Sequence, residues 1–401
     1  MRFASSISGA SSVSSALEEL LGPLQQRVTA GAVDAVMLFA TGHFFDAIPE
    51  VVNKVSGVFP NSVVMGCTAE GTIGYNREIE RTPSISLLAG CLPDVVLRPF
   101  HMTQNQLETA RTADHWERLL GVSAESRPTF VAFGDPFRMA LHAFVDRLNE
   151  VYPGCPLVGG VASSGDRPHR NYLVANGELH TEGIVGLSLT GPLRVDTVVS
   201  QGCRPIGRPF VITRSERNVV VELGGKPALE RLHEVIVNLS GEEEQLARQS
   251  LFVGRVINEY QEVFTRGDFL IQNIIGVDRK SGAIAIAGNA RKGATVQFQV
   301  RDAETADEDL RALLAPHGAA DVKGALMFGC NGRGTHMWPS PGHDIGVFRD
   351  QLGDVPCAGF FCGGEFGPIG GKNFIHGFTA SLALFREGTE PVSTIEPDAP
   401  G

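Results

Sequence analysis

One pattern limits what this chain can fold into: a unit of strand, helix, strand, glycine-rich loop and strand that occurs three times. The first copy runs from "AVDAVMLFATG" (32–42) through "HFFDAIPEVVNKVSGVFP" and "NSVVMGCTAEGTIG" (61–74) to "SISLLAG" (84–90). The second has "RPTFVAFGDP" (127–136), "FRMALHAFVDRLNEVYP", "GCPLVGGVASSG" (154–165) and "EGIVGLSLTG" (182–191). The third has "VKGALMFGCNGRG" (322–334), "HDIGVFRDQLGD", "VPCAGFFCGGEFG" (355–367) and "HGFTASLALF" (376–385). Phe45, Ile48, Val51, Val52 and Val55, and again Leu141, Phe144, Val145 and Leu148, recur every three or four residues, which predicts helices. The strands are short continuous apolar runs, as in a sheet covered on both faces. A strand, a crossover helix and a second strand make a parallel pair, and the strand after the loop can return antiparallel.

A different region separates the second and third copies. "VVVELGGKPALERLHEVIVNL" (219–239) reads as strand, tight turn and helix, with Pro227 near the first helical turn. "FLIQNIIGVDRKSGAIAIAG" (269–288) reads as a hairpin, and "VANGEL" (174–179) carries the Asn-Gly hairpin signal. "ATVQFQVRDAETADEDLRALLAP" (294–316) predicts a strand and then a helix capped near Thr305. "CRPIGRPFVITRSERN" (203–218) is then the crossing segment between two domains, 1–215 and 216–401. The expected fold class is α/β: repeated β-α-β-β units forming mixed sheets covered by helices, with two sheets packed face to face as one arrangement.

Composition excludes several function classes. Hydrophobic residues at 43% and charged residues at 20% belong to a folded chain, not a disordered one. A net charge of −11 argues against nonspecific nucleic-acid binding, which needs Lys and Arg against phosphate. The serine-rich N-terminus lacks the apolar core of a signal peptide, and no run of about 18 apolar residues suggests a membrane span. Seven dispersed cysteines without a Cys-x-x-Cys pair read as reduced thiols, hence a cytoplasmic protein without a structural zinc site. His336 and His343 lack helix-borne ligand spacing, so neither a metal nor a cofactor is expected.

"MGCTAEG" with "SISLLAG" and "PLVGGVASSG" resembles the N-terminal domain of the FIST family (F-box and intracellular signal transduction). "VVVELGGKPALERL", "LFVGRVINEY", "VQFQVRDAETADEDL", "GALMFGCNGRG" and "GFFCGGEFGPIGGKNFIHGFTASLALF" resemble its C-terminal domain. The resemblance covers nearly the whole chain and implies a sensory module for small ligands, amino acids among them, without an established reaction. It also implies a signalling protein partner. No kinase, cyclase, membrane or F-box segment is expected outside the two halves.

The glycine loops carry the candidate ligand-binding residues. In "GCTAEG", Gly66, Cys67, Thr68 and Glu70 can offer backbone N–H groups to a carboxylate, a hydroxyl, and an acid for an ammonium. The alternative is a strained turn with Cys67 as a small core hydrophobe. In "GGVASSG", Gly159, Gly160 and Ser163 suit hydrogen bonding, and no base accompanies the serine for catalysis. Asn331 and Arg333 end a strand in "FGCNGRG", where Arg333 can grip a carboxylate or pair with Asp344. Cys362, Gly363, Gly364 and Glu365 echo the first loop, and His376 follows on the next strand. A Cys362–His376 dyad would hold a thiolate; the competing reading is a buried thiol and a histidine bonded to backbone. The expectation is that loops 66–71, 159–165, 329–334 and 359–367 converge on a pocket for a small carboxylate or amino acid. Rival classes are a protein-interaction scaffold and a cysteine-dependent enzyme.

Overall fold

In each copy the helix carries the chain back over the sheet, so the two strands it joins run parallel. Ala35–Thr41 pairs with Val63–Ala69, Thr129–Gly134 with Leu157–Val161, and Gly324–Cys330 with Cys357–Cys362. The crossover helices are Ile48–Val58, Leu141–Val151 and His343–Leu352. These relationships come from a computed structural model that describes residues 1–29, 32–261, 264, 267–318 and 321–388. The closing strands Ile85–Cys91, Ile184–Thr190 and Ala380–Glu387 return antiparallel to the first strand of their own copy. Each closing strand is bordered by a strand preceding its copy: Arg2–Ser8, Val96–Met102 or Leu193–Ser200. Three sheets thus share one four-strand order.

The hairpin inside each copy leaves its own sheet. Leu173–Ala175 with Glu178–His180, from the second copy, extends the first sheet. Glu365–Ile369 with Lys372–His376, from the third copy, extends the second sheet. Gly71–Gly74 with Arg77–Glu80, from the first copy, extends the third sheet. The exchange closes a ring and covers one edge of every four-strand sheet, edges that would otherwise be open to misplaced pairing.

The inner faces of the three sheets share one core. Phe39, Phe133 and Phe328 occupy equivalent positions in the three first strands, and their ring centroids lie 5.4, 6.1 and 6.3 Å apart. The outer faces bury the helices. The α/β class and mixed, helix-covered sheets hold; where the sequence allowed two sheets face to face, three surround the core. A close approach recurs at one glycine per copy. A Cβ on Gly66, Gly159 or Gly359 would fall 1.7, 1.9 or 1.7 Å from the carbonyl oxygen of Leu38, Ala132 or Met327.

The region between copies forms a closed antiparallel barrel. Its ring runs Phe210–Glu216, Val219–Leu223, Ala283–Ile286, Phe269–Asp278, Leu251–Val256 and Thr295–Arg301, then back to Phe210. Closure removes the open edges of the sheet. The segment read as a crossing therefore supplies two strands, Cys203–Pro205 and Phe210–Glu216, and residue 215 lies within the second. Pro227 is the N-cap of helix Ala228–Val237. Helix Ala303–Leu314 is capped by Asp302, whose carboxylate accepts the Thr305 N–H at 2.6 Å, three residues before the expected cap. Asn176 and Gly177 turn their hairpin with φ of 52° and 80°.

Candidate functional site

The parallel strands of all three copies end on the same side of the core, and their loops touch there. The Ser163 hydroxyl donates to the Phe361 carbonyl (2.6 Å) and accepts the Glu70 N–H (3.0 Å), tying the second copy to the third and the first. The Gly363 N–H donates to the Val161 carbonyl at 3.0 Å, and the Val161 N–H to the Gly364 carbonyl at 2.8 Å. The Thr68 hydroxyl accepts from the Ser164 hydroxyl (2.7 Å) and the Tyr172 N–H (2.9 Å). Asn331 joins the group through its N–H, which donates to the Cys362 carbonyl at 3.0 Å. Glu70 and Gly363 are exposed; Thr68, Gly160 and Gly364 are buried.

Gly66 and Gly159 stand within strands, where they let the chain pass close to its neighbour. Gly160 faces Cys362: a Cβ there would lie 2.3 Å from the sulfur. Strand register separates the two cysteines that look alike in sequence. Cys67 corresponds to Phe360, and Cys362 to Ala69.

Both thiols are in the central core, and burial pushes each well above the ordinary thiol range. That is the reverse of an activated thiolate. The Cys362 thiol donates to the Phe360 carbonyl at 3.6 Å. His376 uses Nε2–H on the Gly367 carbonyl at 3.0 Å, and burial lowers its pKa to about 4. No hydrogen bond joins Cys362 to His376 among the described residues.

Arg333 is fully buried and clasps Asp344 with Nε and Nη2. His343 continues the chain of contacts, facing Asp344 at 3.0 Å and Asp307 at 3.0 Å. Burial would raise the Asp344 pKa, but the Arg333 guanidinium and its hydrogen bonds outweigh burial and hold the carboxyl well below its usual range. This pairing uses two of the three guanidinium nitrogens. The third, Nη1, has no hydrogen-bond partner among the described residues.

On Arg301, the 330–333 loop and Glu365, along the seam between the third copy and the barrel, Nη1 is one of four buried atoms without a hydrogen-bond partner among the described residues. The others are Arg301 Nη1, Asn331 Oδ1 and Glu365 Oε1. Arg301, Arg333, Cys330 and Glu365 lie close enough to shift one another's titration. Burial drives the Glu365 pKa well above the carboxylate range; its Oε2 accepts the Thr379 N–H at 3.1 Å. Arg301 stacks its guanidinium 3.8 Å from the Phe378 ring centroid. Asn331, Arg333 and Glu365 were legible as candidates. Arg301 was not, because it ends a barrel strand outside any glycine loop and only barrel closure brings it here.

Two family models match the chain: the FIST N domain over residues 34–226 and the FIST C domain over residues 228–368. The chain belongs to the FIST family. FIST domains are of the sensory, ligand-binding type. An uncharacterised protein of Mycobacterium tuberculosis strain H37Rv is 35% identical over 389 residues, covering 96% of this chain and all of that protein. An uncharacterised protein of Mycobacterium bovis is 35% identical over 379 residues, 93% of this chain and 95% of that protein. A cyanuric acid hydrolase from A. caulinodans covers 96% of this chain and all of its own, at 8% identity and a TM-score of 0.37, a likeness too slight to carry an argument. No helix among the described residues is long and apolar enough to cross a membrane.

Proposed function

We propose that this FIST protein is a sensor for a small zwitterion of the amino-acid class, bound in the seam where Arg301 meets the 330–333 and 362–365 loops. The observation that carries the reading is the set of four unpartnered polar atoms there. Buried polar groups are nearly always hydrogen-bonded, so four orphans together imply a polar occupant. Two guanidinium Nη1 atoms are donors suited to an α-carboxylate. Asn331 Oδ1 and Glu365 Oε1 are acceptors suited to an α-ammonium, whose charge would favour the ionised form of Glu365. Ser163, Glu70, Thr68 and Gly363 would hold the adjoining loops in register, with the ligand signal passed to a partner protein. The seven unpaired cysteines support a reducing, cytoplasmic setting.

The test is thermal unfolding against a panel of amino acids and small carboxylates, repeated on Arg301→Met and Asn331→Ala. A ligand present at 100 times its dissociation constant adds about 2.7 kcal/mol, which raises the midpoint by several degrees. A selective shift lost in both variants supports the reading. A flat panel, or a shift unchanged in Arg301→Met, sinks it.

A further inference from the structure

Away from that seam, the barrel and the second sheet enclose a cavity of about 510 Å³. Helix Leu141–Val151 and the 373–375 segment form one wall, and Asn218, Arg255 and the barrel segments around 271 and 287 form the other. A volume of a few hundred Å³ between two structural units is the usual setting of a small-molecule site. Three features of this cavity go beyond shape.

First, Arg255 lines it without a hydrogen bond or ion pair among the described residues, and its Nε is buried with no partner. The residue is half-buried, and a buried donor atom left unpaired carries a desolvation cost. Second, Gln272 is 6% exposed and its Oε1 has no partner either. Its amide occupies space that only a glycine leaves open: a Cβ on Gly288, whose φ is +154°, would fall 1.9 Å from Gln272 Nε2. Third, the lining is mixed: Leu270, Ile275, Ile286 and Ile375 give it an apolar part, with Ile275 60% exposed, while Asp146, His142 and asparagines line the rest.

We infer that this cleft is a second ligand site, for a monocarboxylate carried on an apolar chain or ring. The planar guanidinium of Arg255 fits a carboxylate through two parallel hydrogen bonds. The aliphatic part of the wall takes the apolar body. Arg291, Glu259 and Asp146 act on Arg255 electrostatically, and the two acids, Asp146 in the lining itself, disfavour a multiply charged phosphate over a single carboxylate. The cleft shares no residue with the Arg301–Arg333 seam, so the inference does not rest on the zwitterion reading.

Octanoate is the probe, titrated calorimetrically into the full chain, with octanamide as the same chain without the charge. Octanoate binds with one site per chain, and octanamide binds about tenfold more weakly or worse, the loss expected for a charge-assisted hydrogen bond. Arg255→Met weakens octanoate by a similar factor while leaving the thermal midpoint of the free protein near that of the parent. Ala287→Trp places a bulky ring at an exposed position lining the cleft and abolishes binding without touching the core. Arg301→Met leaves octanoate affinity unchanged, which separates this site from the zwitterion seam. Failure of octanoate to saturate, equal affinity for octanamide, or undiminished binding in Arg255→Met overturns the inference. None of those results bears on the amino-acid panel.

Discussion

Arg333 and Asp344 form a two-pronged ion pair, Nε to Oδ2 at 2.6 Å and Nη2 to Oδ1 at 2.8 Å, with side-chain exposures of 0% and 4%. The pair staples the loop after a third-copy strand to the first turn of the helix that follows. Its removal has an asymmetric cost, because either partner alone is a stranded buried charge.

Arg333→Met is therefore expected to destabilise the protein by about 3–5 kcal/mol, and Asp344→Leu by a similar amount. The double substitution should cost clearly less than the sum, since it leaves no unpaired charge. Urea unfolding of the four proteins measures the coupling; strict additivity would mean that the two side chains act independently.

Glu78 sits beside that pair, with Oε1 accepting the Ile345 N–H at 2.8 Å and Oε2 unpartnered. Burial, helped by the Asp344 carboxylate, raises its pKa to about 8. The folded state then holds a proton that the unfolded chain releases near 4.5, so stability falls as pH rises from about 4.5 to 8. Glu78→Gln should remove this contribution. Its stability relative to the parent should climb across that window, by at most about 1.4 kcal/mol per pH unit, and level off outside it. A parent–variant difference that stays flat from pH 5 to 8 would show that Glu78 titrates normally.

Gly359→Ala sets a methyl 1.7 Å from the Met327 carbonyl oxygen, a backbone atom with no room to move. A loss of about 3 kcal/mol or more is expected. Gly363→Ala, in the same glycine-rich stretch, meets nothing closer than 3.7 Å and should change the thermal midpoint little. Equal effects of the two substitutions would refute the packing role assigned to the recurrent glycine.

Cys67, Cys357 and Cys362 are buried with thiols pushed up by burial, and Cys91 is only half-buried. Brief iodoacetamide treatment at pH 8 should label Cys91 first, and the three buried thiols only in denaturant. Mass spectrometry of the peptides reads this directly. Fast labelling of native Cys362 would revive a thiolate mechanism.

What the sequence alone determined is local. Apolar residues spaced by three or four, as in Ile48, Val51, Val52 and Val55, give a helix one buried face whatever surrounds it. Uninterrupted runs such as "ALMFGC" give strands covered on both faces, and a helix between two of them enforces parallel pairing. The three-copy pattern, the Asn176–Gly177 turn and the candidate positions Asn331, Arg333 and Glu365 were legible for that reason. Only the tertiary structure decided how the copies combine. Whether the Gly71–Gly74 hairpin pairs with its own sheet or the third depends on which edge a distant segment leaves open, and no local period records that. The same holds for barrel closure between Phe210 and Val296, which carries Arg301 toward Arg333. Arg333 shows the division most plainly: a strand-end arginine could meet a ligand or an acid, and burial beside Asp344 chose the acid while leaving one nitrogen free.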